Sequence, residues 1–256
     1  MVLARIAKRM RAFGHAALSE YCAHLEGEAG AEERRELIYT LTTNVTSFFR
    51  ERHHFDALRD RILPQLVARA RAGGRVRLWS AGCSSGQEPY SLAMTVLEAL
   101  PEAARLDIRI LATDIDPHVL TPARDAVFPE AQAQPIPESL RRRFLEPAEC
   151  SDGSPGYRVA EPVRRLVTFR QLNLIGPWPM KGRFDAILCR NVVIYFDRDT
   201  QRRLWGRFAG VLPPGGHLFL GHSERIDTAA THGFRVVGPT MYQRAEDGRA
   251  HDLTRG

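Results

Sequence analysis

Apolar residues near the amino terminus recur at intervals of three and four residues, which is the spacing of an amphipathic helix. This pattern predicts a helix over residues 3–25 that Gly14 interrupts. After the break at residues 27–30, a shorter pattern predicts a second helix over residues 31–41. The first 43 residues are therefore predicted to form a small helical domain, followed by a larger domain at residues 44–256.

From about Arg75 onward, short apolar segments that suit strands alternate with amphipathic stretches that suit helices. We interpret VRLWSAG and IRILATDID as strands, with the helical pattern SLAMTVLEAL between them. Further strands are predicted in LVTFRQLNL, FDAILCRNV and HLFLGHSE, and FRVVGPTMYQR is predicted to run antiparallel beside the last of these. Such alternation predicts an α/β fold with a parallel sheet, whose ligands bind beyond the carboxyl ends of the strands.

One interval departs from this alternation. Residues 147–163 are rich in Gly, Ser and Pro and contain only short apolar segments. Their composition predicts either a hairpin insertion or a loop.

Length and composition are those of an ordinary globular enzyme. The chain has 256 residues, of which 44% are hydrophobic and 26% are charged. No apolar run approaches the roughly 20 residues that span a bilayer, and the amino terminus lacks the apolar core of a signal peptide. We therefore expect a cytoplasmic monomer without membrane insertion.

Side chains that bind metals or form disulfides are scattered along the sequence. The four cysteines, Cys22, Cys83, Cys150 and Cys189, lie far apart, and no Cys/His cluster has ligand spacing. We expect reduced thiols and no metal. The net charge of +6 suits an acidic partner, but a solvated arginine-rich surface explains it equally well.

A glycine-rich turn after the first predicted strand suits a nucleoside ligand. In WSAGCSSGQEPYS, Gly82 and Gly86 let the backbone approach a ligand closely. The turn departs from the full G-x-G-x-x-G dinucleotide fingerprint. The Glu88 carboxylate would repel phosphates, but it can accept hydrogen bonds from amino or hydroxyl groups. Alternatively, Glu88 is only a helix N-terminal carboxylate that the helix dipole favours.

Acidic and amide side chains follow two further strands. Asp114 ends the strand of LATDID and is predicted to accept hydrogen bonds from ribose hydroxyls, while Asp116 is predicted to cap the next helix. Arg190 and Asn191 end the strand FDAILCRN. The Asn191 amide suits an adenine edge or an amino-acid group, although a turn explains it nearly as well.

The junction between the two domains carries polar residues among aromatic ones. In TTNVTSFFRERHHF, the aromatic side chains are predicted to enter the core, and Asn44 and Thr46 are polar residues of the same stretch. Packing does not account for Arg50, and Glu51 offers it only a surface ion pair, which contributes little.

The chain resembles the CheR-type chemotaxis receptor glutamate O-methyltransferases in several motifs that occur in one order: TTNVTSFFRE, GCSSGQEPYS, ATDID, QLNL, CRNVVIYFD and GGHLFLGHSE. The resemblance covers about residues 34–244 and implies an S-adenosylmethionine-dependent methyltransferase sheet of Rossmann-like type behind a small helical domain. It also implies a small antiparallel β-subdomain inserted at about residues 147–169. The helical domain looks shorter than is usual in the family.

The resemblance further implies roles for individual residues. Contacts to S-adenosylmethionine and to its product S-adenosylhomocysteine are implied for Asn44, Thr46, Arg50, Glu88, Asp114, Asn173, Leu174, Arg190 and Asn191. Arg50 and Tyr195 would face the transferred methyl group as catalytic residues. The basic helix of the family lies near the acidic receptor surface and here corresponds to Arg5, Lys8, Arg9 and Arg11. A solvated helix face is the alternative interpretation.

The implied reaction is the esterification of glutamate side chains in the cytoplasmic domain of chemotaxis receptors. A glutamate carboxylate has a pKa of about 4.3 and is ionised at neutral pH, so the reaction requires no general base. Two alternatives are a methyltransferase for another substrate, such as nucleic acid or a small acid, and a non-catalytic binding module. No nucleic-acid module is visible in the sequence, and the presence of both Arg50 and Tyr195 argues against the non-catalytic module.

Overall fold

The computed structural model describes residues 2–227 and 229–246. Its amino-terminal part consists of helices α1 (Val2–Ala12), α2 (Leu18–Glu26) and α3 (Ala31–Leu41). The helix predicted over residues 3–25 is divided into α1 and α2, because Gly14 has φ +73°, a left-handed conformation that a continuous helix cannot include. The second predicted helix is confirmed as α3.

A buried carboxylate joins these three helices. Glu33 on α3 is 2% exposed, and its Oε1 accepts hydrogen bonds from Arg9 Nε on α1 (2.9 Å) and from the Tyr21 hydroxyl on α2 (2.5 Å). Burial opposes ionisation of Glu33, but the bonds from Arg9 and Tyr21 outweigh it and lower its pKa. The cluster therefore fixes the three helices against one another.

Ten strands occur in the described residues: β1 (Val76–Ala81), β2 (Ile108–Asp114), β3 (Val127–Pro129), β4 (Leu145–Glu149), β5 (Pro155–Val159), β6 (Val167–Gln171), β7 (Ala186–Cys189), β8 (His217–Leu220), β9 (Phe234–Gly238) and β10 (Met241–Arg244). Seven of them form one sheet in the order β6-β2-β1-β7-β8-β10-β9. Neighbours from β6 to β8 are parallel, whereas β10 is antiparallel to β8 and β9. The predicted parallel sheet is confirmed, and FRVVGPTMYQR forms two strands, of which β10 runs antiparallel beside β8.

The described residues contain eight further α-helices: α4 (His53–Ala57), α5 (Leu63–Arg71), α6 (Gln87–Ala99), α7 (Pro117–Asp125), α8 (Glu130–Ala133), α9 (Glu138–Phe144), α10 (Glu161–Arg164) and α11 (Arg198–Val211). One apolar core packs α5 and α6 against the sheet, and a second packs α11 against it through Trp205 and Phe208. Strand β7 is buried along its whole length, as expected of a parallel strand covered on both faces. In the part of the chain described, no helix is both long and apolar enough to cross a bilayer.

A separate antiparallel sheet of β3, β5 and β4 confirms the predicted β-subdomain. Its limits differ from the predicted interval of residues 147–169. The sheet begins earlier, at Val127, because β3 has only three residues and no alternating pattern that would reveal it. It also ends earlier, at Val159. The next strand, β6, lies within the predicted interval up to residue 169 but pairs in parallel with β2 and so belongs to the edge of the large sheet.

Candidate active site

Loops after β1 and β2 are joined at the carboxyl edge of the large sheet. The backbone N–H groups of Gly82 and Cys83 donate to the Thr113 carbonyl at 2.8 and 2.9 Å. Gly82 has φ +94°, and a Cβ atom built on it would overlap the side chain of Val192, which follows β7. Glycine at position 82 therefore lets the β1 loop pack directly against the segment after β7.

Glu88 and Arg190, both predicted to contact the cofactor, form a buried ion pair at this edge. Arg190 Nη1 donates to Glu88 Oε2 at 3.0 Å, and the Ser80 hydroxyl donates to Glu88 Oε1 at 2.7 Å. Burial raises the pKa of Glu88, while the charge of Arg190 opposes this rise. Glu88 also lies in the first turn of α6, where the helix dipole favours a carboxylate, and its contact with the cofactor stays a prediction.

Asp114 lies at the end of β2, as predicted, and is 8% exposed. Its carboxylate accepts hydrogen bonds from the backbone N–H of Ser84 (2.8 Å) and of Asp116 (3.0 Å). Burial raises the pKa of Asp114, and these backbone bonds oppose the rise. The carboxylate therefore organises the β1 loop and retains acceptor positions for a hydroxyl-bearing ligand.

Asn44 connects the junction segment to the same edge. Its side-chain amide donates to Asp116 Oδ2 at 3.1 Å, and its backbone carbonyl accepts from the Ser84 hydroxyl at 3.1 Å. The other Asp116 oxygen accepts from the His118 N–H at 2.9 Å, which confirms the predicted helix cap. Asn44, Asp114 and Glu88 are thus assembled around the β1 loop.

The segment that carries Arg50 is held in a strained turn. Phe49 and Glu51, on either side of Arg50, have φ +52° and +54°, which is the left-handed region that non-glycine residues rarely adopt. Phe48 and Phe49 are buried, as predicted, and the Phe49 N–H donates to Ser91 Oγ at 2.9 Å. The Arg50 guanidinium donates to the Val45 carbonyl at 2.8 Å, and the Arg50 carbonyl accepts from Arg190.

Glu51 is a central residue of this site that the sequence interpretation treated as a surface partner of Arg50. Its Oε2 lies 3.2 Å from Arg190 Nη2, and its Oε1 accepts from the N–H (3.1 Å) and Nδ1 (3.0 Å) of His222. Burial alone would raise the pKa of Glu51, but Arg190 and the His222 bonds lower it to about 2. Its position directly after Arg50 is the only signal in the sequence, since its partners are distant along the chain.

Glu224 is a second residue that the sequence interpretation missed, although it belongs to the motif GGHLFLGHSE. It is 3% exposed. Its Oε2 accepts from the N–H groups of Asn191 (2.9 Å) and Gly221 (2.6 Å). Its Oε1 accepts from those of Val192 (2.8 Å), Val193 (2.8 Å) and, at a longer 3.4 Å, Ile194. Asn191 has φ +60°, so the segment after β7 makes a sharp turn around this carboxylate.

We refer to Asn44, Glu51, Glu88, Asp114, Arg190 and Asn191, at the carboxyl edge of the large sheet, as the polar cluster. The remaining predicted site residues lie outside it. Tyr195 is 59% exposed at the end of the 3-10 turn Val193–Tyr195, which follows Asn191. Asn173 is exposed and its Oδ1 accepts from the Ile175 N–H at 2.9 Å, whereas Leu174 is buried in the α11 core. Thr46 is half-buried.

Asn44 and Asp114 share the partners Ser84 and Asp116. Arg190 binds Glu88 directly and is connected to Asn191 through Glu51. The structure therefore brings these five predicted residues to the same edge of the sheet in two bonded groups.

Two of the four basic residues predicted on the first helix bind groups within the protein. Arg5 donates to the carbonyls of Thr40 (3.0 Å) and Thr42 (2.7 Å) at the end of α3, and Arg9 pairs with Glu33. Lys8 and Arg11 are exposed. Only two of the four basic side chains thus face solvent fully, and a role in partner binding stays a prediction.

The chemistry of this edge suits S-adenosylmethionine. Glu88 and Asp114 offer buried acceptors for amino and hydroxyl groups, and neither would favour a phosphate. The buried Nε of Arg190 has no hydrogen-bond partner among the residues described, so a polar ligand atom could satisfy it. Among those residues there is also no group of three or more His, Cys, Asp or Glu side chains that could hold a metal ion.

Known sequences match the chain over most of its length. Residues 44–243 match the family described as CheR methyltransferase, SAM binding domain, and residues 1–42 match the CheR methyltransferase all-alpha domain. The chain is 49% identical over 248 residues to a probable chemotaxis protein methyltransferase of Rhizobium etli, an alignment that covers 97% of the chain and 92% of the relative. It is 38% identical over 249 residues to the chemotaxis protein methyltransferase of Escherichia coli, covering 96% of the chain and 83% of the relative.

The fold, the polar edge of the sheet and these matches define an S-adenosylmethionine-dependent methyltransferase. Within that class, the chain belongs to the CheR methyltransferase family. The predicted family, fold and cofactor are thereby confirmed.

Proposed function

We propose that this protein esterifies glutamate side chains in the cytoplasmic domain of chemotaxis receptors. Its relatives are named chemotaxis protein methyltransferases, which supports a substrate from that system. The described site provides arginine and tyrosine side chains beside the cofactor edge, and a carboxylate acceptor suits such a site because it arrives ionised. The protein acts in the cytoplasm, as a monomer, where those receptor domains lie.

Arg50 is the residue that carries this proposal. Its strained turn is tied to the sheet through Glu51 and Arg190, so the guanidinium is presented from a fixed backbone. Among residues 2–227 and 229–246, no carboxylate forms an ion pair with Arg50, and its guanidinium donates to a neutral carbonyl. A half-buried guanidinium without a carboxylate partner is suited to bind one bidentately from a substrate.

S-adenosylmethionine supplies an electrophilic methyl group on a positively charged sulfur. Asp114, Glu88, Asn44 and Asn191 would hold it, together with Arg190, Thr46, Asn173 and Leu174. Arg50 would orient the substrate carboxylate, and the exposed Tyr195 hydroxyl would donate a hydrogen bond to it from the opposite loop. Because no proton has to be removed, these residues act by alignment and by exclusion of water.

The direct test is the transfer of labelled methyl groups from S-adenosylmethionine to purified receptor cytoplasmic domains, with RNA and small carboxylic acids as competing acceptors. Base-labile label on a receptor domain, at glutamate positions located by mass spectrometry, is the expected result. Label on RNA or on the small acid alone would contradict the proposal and favour another substrate. Cofactor binding without transfer to any acceptor would favour a non-catalytic binding module.

A further inference from the structure

Glu224 is a buried carboxylate whose two oxygens both accept hydrogen bonds, and the mechanism proposed above gives it no role. All five of its hydrogen bonds go to backbone N–H groups, four of them on consecutive residues of the segment Asn191–Ile194 and one on Gly221. We refer to residues 191–195, which connect β7 to Tyr195, as the β7 link. Glu224 itself follows β8, the neighbouring strand.

The β7 link has little intrinsic preference for its observed shape. Asn191 adopts φ +60°, and the turn Val193–Tyr195 has only three residues, too few for a helical turn to be stable alone. A Cβ atom on Gly221 would meet the Asn191 backbone nitrogen at 2.7 Å, so the link lies directly against the end of β8. A buried carboxylate that accepts from the successive N–H groups of the turn supplies the missing stabilisation.

The two ends of the β7 link bear side chains with predicted roles. Asn191 stands at the start, where it belongs to the polar cluster, and Tyr195 stands at the end with an exposed side chain. We propose that Glu224 is a positioning residue, which sets the β7 link so that Asn191 faces the cofactor and Tyr195 faces the methyl acceptor. The part that concerns Tyr195 rests on the function proposed above.

Glu224→Gln tests this proposal without changing the size of the side chain. The amide offers one oxygen in place of two, and its NH₂ group would face N–H donors, so part of the β7 link loses its acceptor. At saturating cofactor, turnover should fall on the order of tenfold to 100-fold, because small displacements of aligned groups have effects of this size. Glu224→Asp retains the carboxylate on a shorter side chain and should recover part of the loss.

Glu33→Gln is the matched control. Glu33 is also a buried glutamate that accepts hydrogen bonds, but it lies among the amino-terminal helices and outside the polar cluster. Both variants should melt at lower temperature than the wild type, while only Glu224→Gln should lose turnover of receptor domain at saturating substrate. An equal loss of turnover in the two variants would reduce Glu224 to a general contribution to stability and overturn the proposal.

A double-mutant cycle with Tyr195→Phe shows whether Glu224 acts through the β7 link. If it does, the loss in the double variant should be clearly smaller than the product of the two single losses. Losses that multiply in full, or wild-type turnover in a folded Glu224→Gln, would overturn the proposal. If Glu224→Gln does not fold, Glu224→Asp takes its place in the cycle under the same criteria.

Failure of the proposed function can be told apart from failure of this inference. If the wild type transfers no methyl group to any receptor domain, the proposed function is wrong. The affinity for S-adenosylhomocysteine, measured by calorimetry, then tests the part of the inference that concerns Asn191 and the cofactor. Weaker binding in Glu224→Gln than in Glu33→Gln would support a positioning role, and equal binding would contradict it.

Discussion

The carboxylate of Glu51 and the guanidinium of Arg190 form an ion pair, with 3.2 Å between Oε2 and Nη2 and side chains that are 11% and 1% exposed. The pair joins the strained turn of Arg50 to the end of β7. Arg190 binds Glu88 through its other terminal nitrogen, so one arginine links the junction segment to the first turn of α6. Loss of either carboxylate would leave part of a buried charge uncompensated.

Replacement of Arg50 should separate the effects of charge and of geometry. Arg50→Lys keeps the positive charge but loses the bidentate fork, and Arg50→Ala loses both, so single-turnover methylation should fall in the order wild type, Lys, Ala. We expect the alanine variant to be slower by about 100-fold. Arg52→Ala, which removes an exposed arginine of the same segment, is the control and should keep wild-type turnover. Equal rates for all three Arg50 forms would remove it from the mechanism.

Replacement of Asp114 should weaken cofactor binding. Asp114→Asn keeps one oxygen for the β1 loop but removes the charge, so affinity for S-adenosylhomocysteine should fall by about 1.5–3 kcal/mol. Asp114→Ala would also leave the N–H groups of Ser84 and Asp116 without their acceptor, so it should weaken cofactor binding further. Calorimetry measures both, with Asp107→Asn, an exposed carboxylate before β2, as the control. Unchanged affinity in a folded Asp114→Asn would exclude a direct contact.

Replacement of Tyr195 should affect turnover alone. Tyr195→Phe removes only a hydroxyl from an exposed side chain, so neither the melting temperature nor cofactor affinity should change. Methyl transfer at saturating cofactor should slow by a factor of about ten or more, the effect of losing one hydrogen bond worth roughly 1.4 kcal/mol in the transition state. A wild-type rate in this variant would leave Tyr195 without a catalytic role.

The pH dependence of stability should report on Glu51. Its pKa is lowered from 4.5 to about 2 in the folded protein, so its contribution is fully present above the unfolded value and is lost as pH falls toward 2. The difference in unfolding free energy between wild type and Glu51→Gln should therefore shrink by about 2 kcal/mol between about pH 6 and about pH 3. Urea titrations at the two pH values measure it. A difference independent of pH would show that the carboxylate is not specially stabilised in its ionised form.

The sequence predicted those parts of the fold that local patterns determine. Apolar segments of five to seven residues, such as Val76–Ala81 and Ile108–Asp114, and the cap of Asp116 carry their own signals. Strand β3 has only three residues, the last of them Pro129, and carries none. Strand β6 has a clear apolar pattern, but pattern alone does not say which of two sheets a strand joins.

The same division holds at the site. The positions of Asp114 and Glu88 could be predicted, because one ends a strand and the other lies in the first turn of the helix after a strand, which are defined places in an α/β unit. Glu51 and Glu224 could not, because hydrogen bonds that define them come from residues 171 and 33 positions away in the chain. In the sequence, Glu51 directly follows Arg50 and suggests a surface ion pair with it, whereas in the folded protein the Glu51 carboxylate pairs with Arg190.

Gly82 is constrained twice over, by its own backbone and by its neighbour. Its φ of +94° disfavours any side chain by roughly 1–2 kcal/mol, and a Cβ atom would also displace Val192. A smaller residue at position 192 would relieve the overlap but not the backbone strain. The two positions are therefore coupled in one direction only: a side chain at position 82 requires a smaller residue at position 192, whereas no change at position 192 removes the backbone strain at position 82.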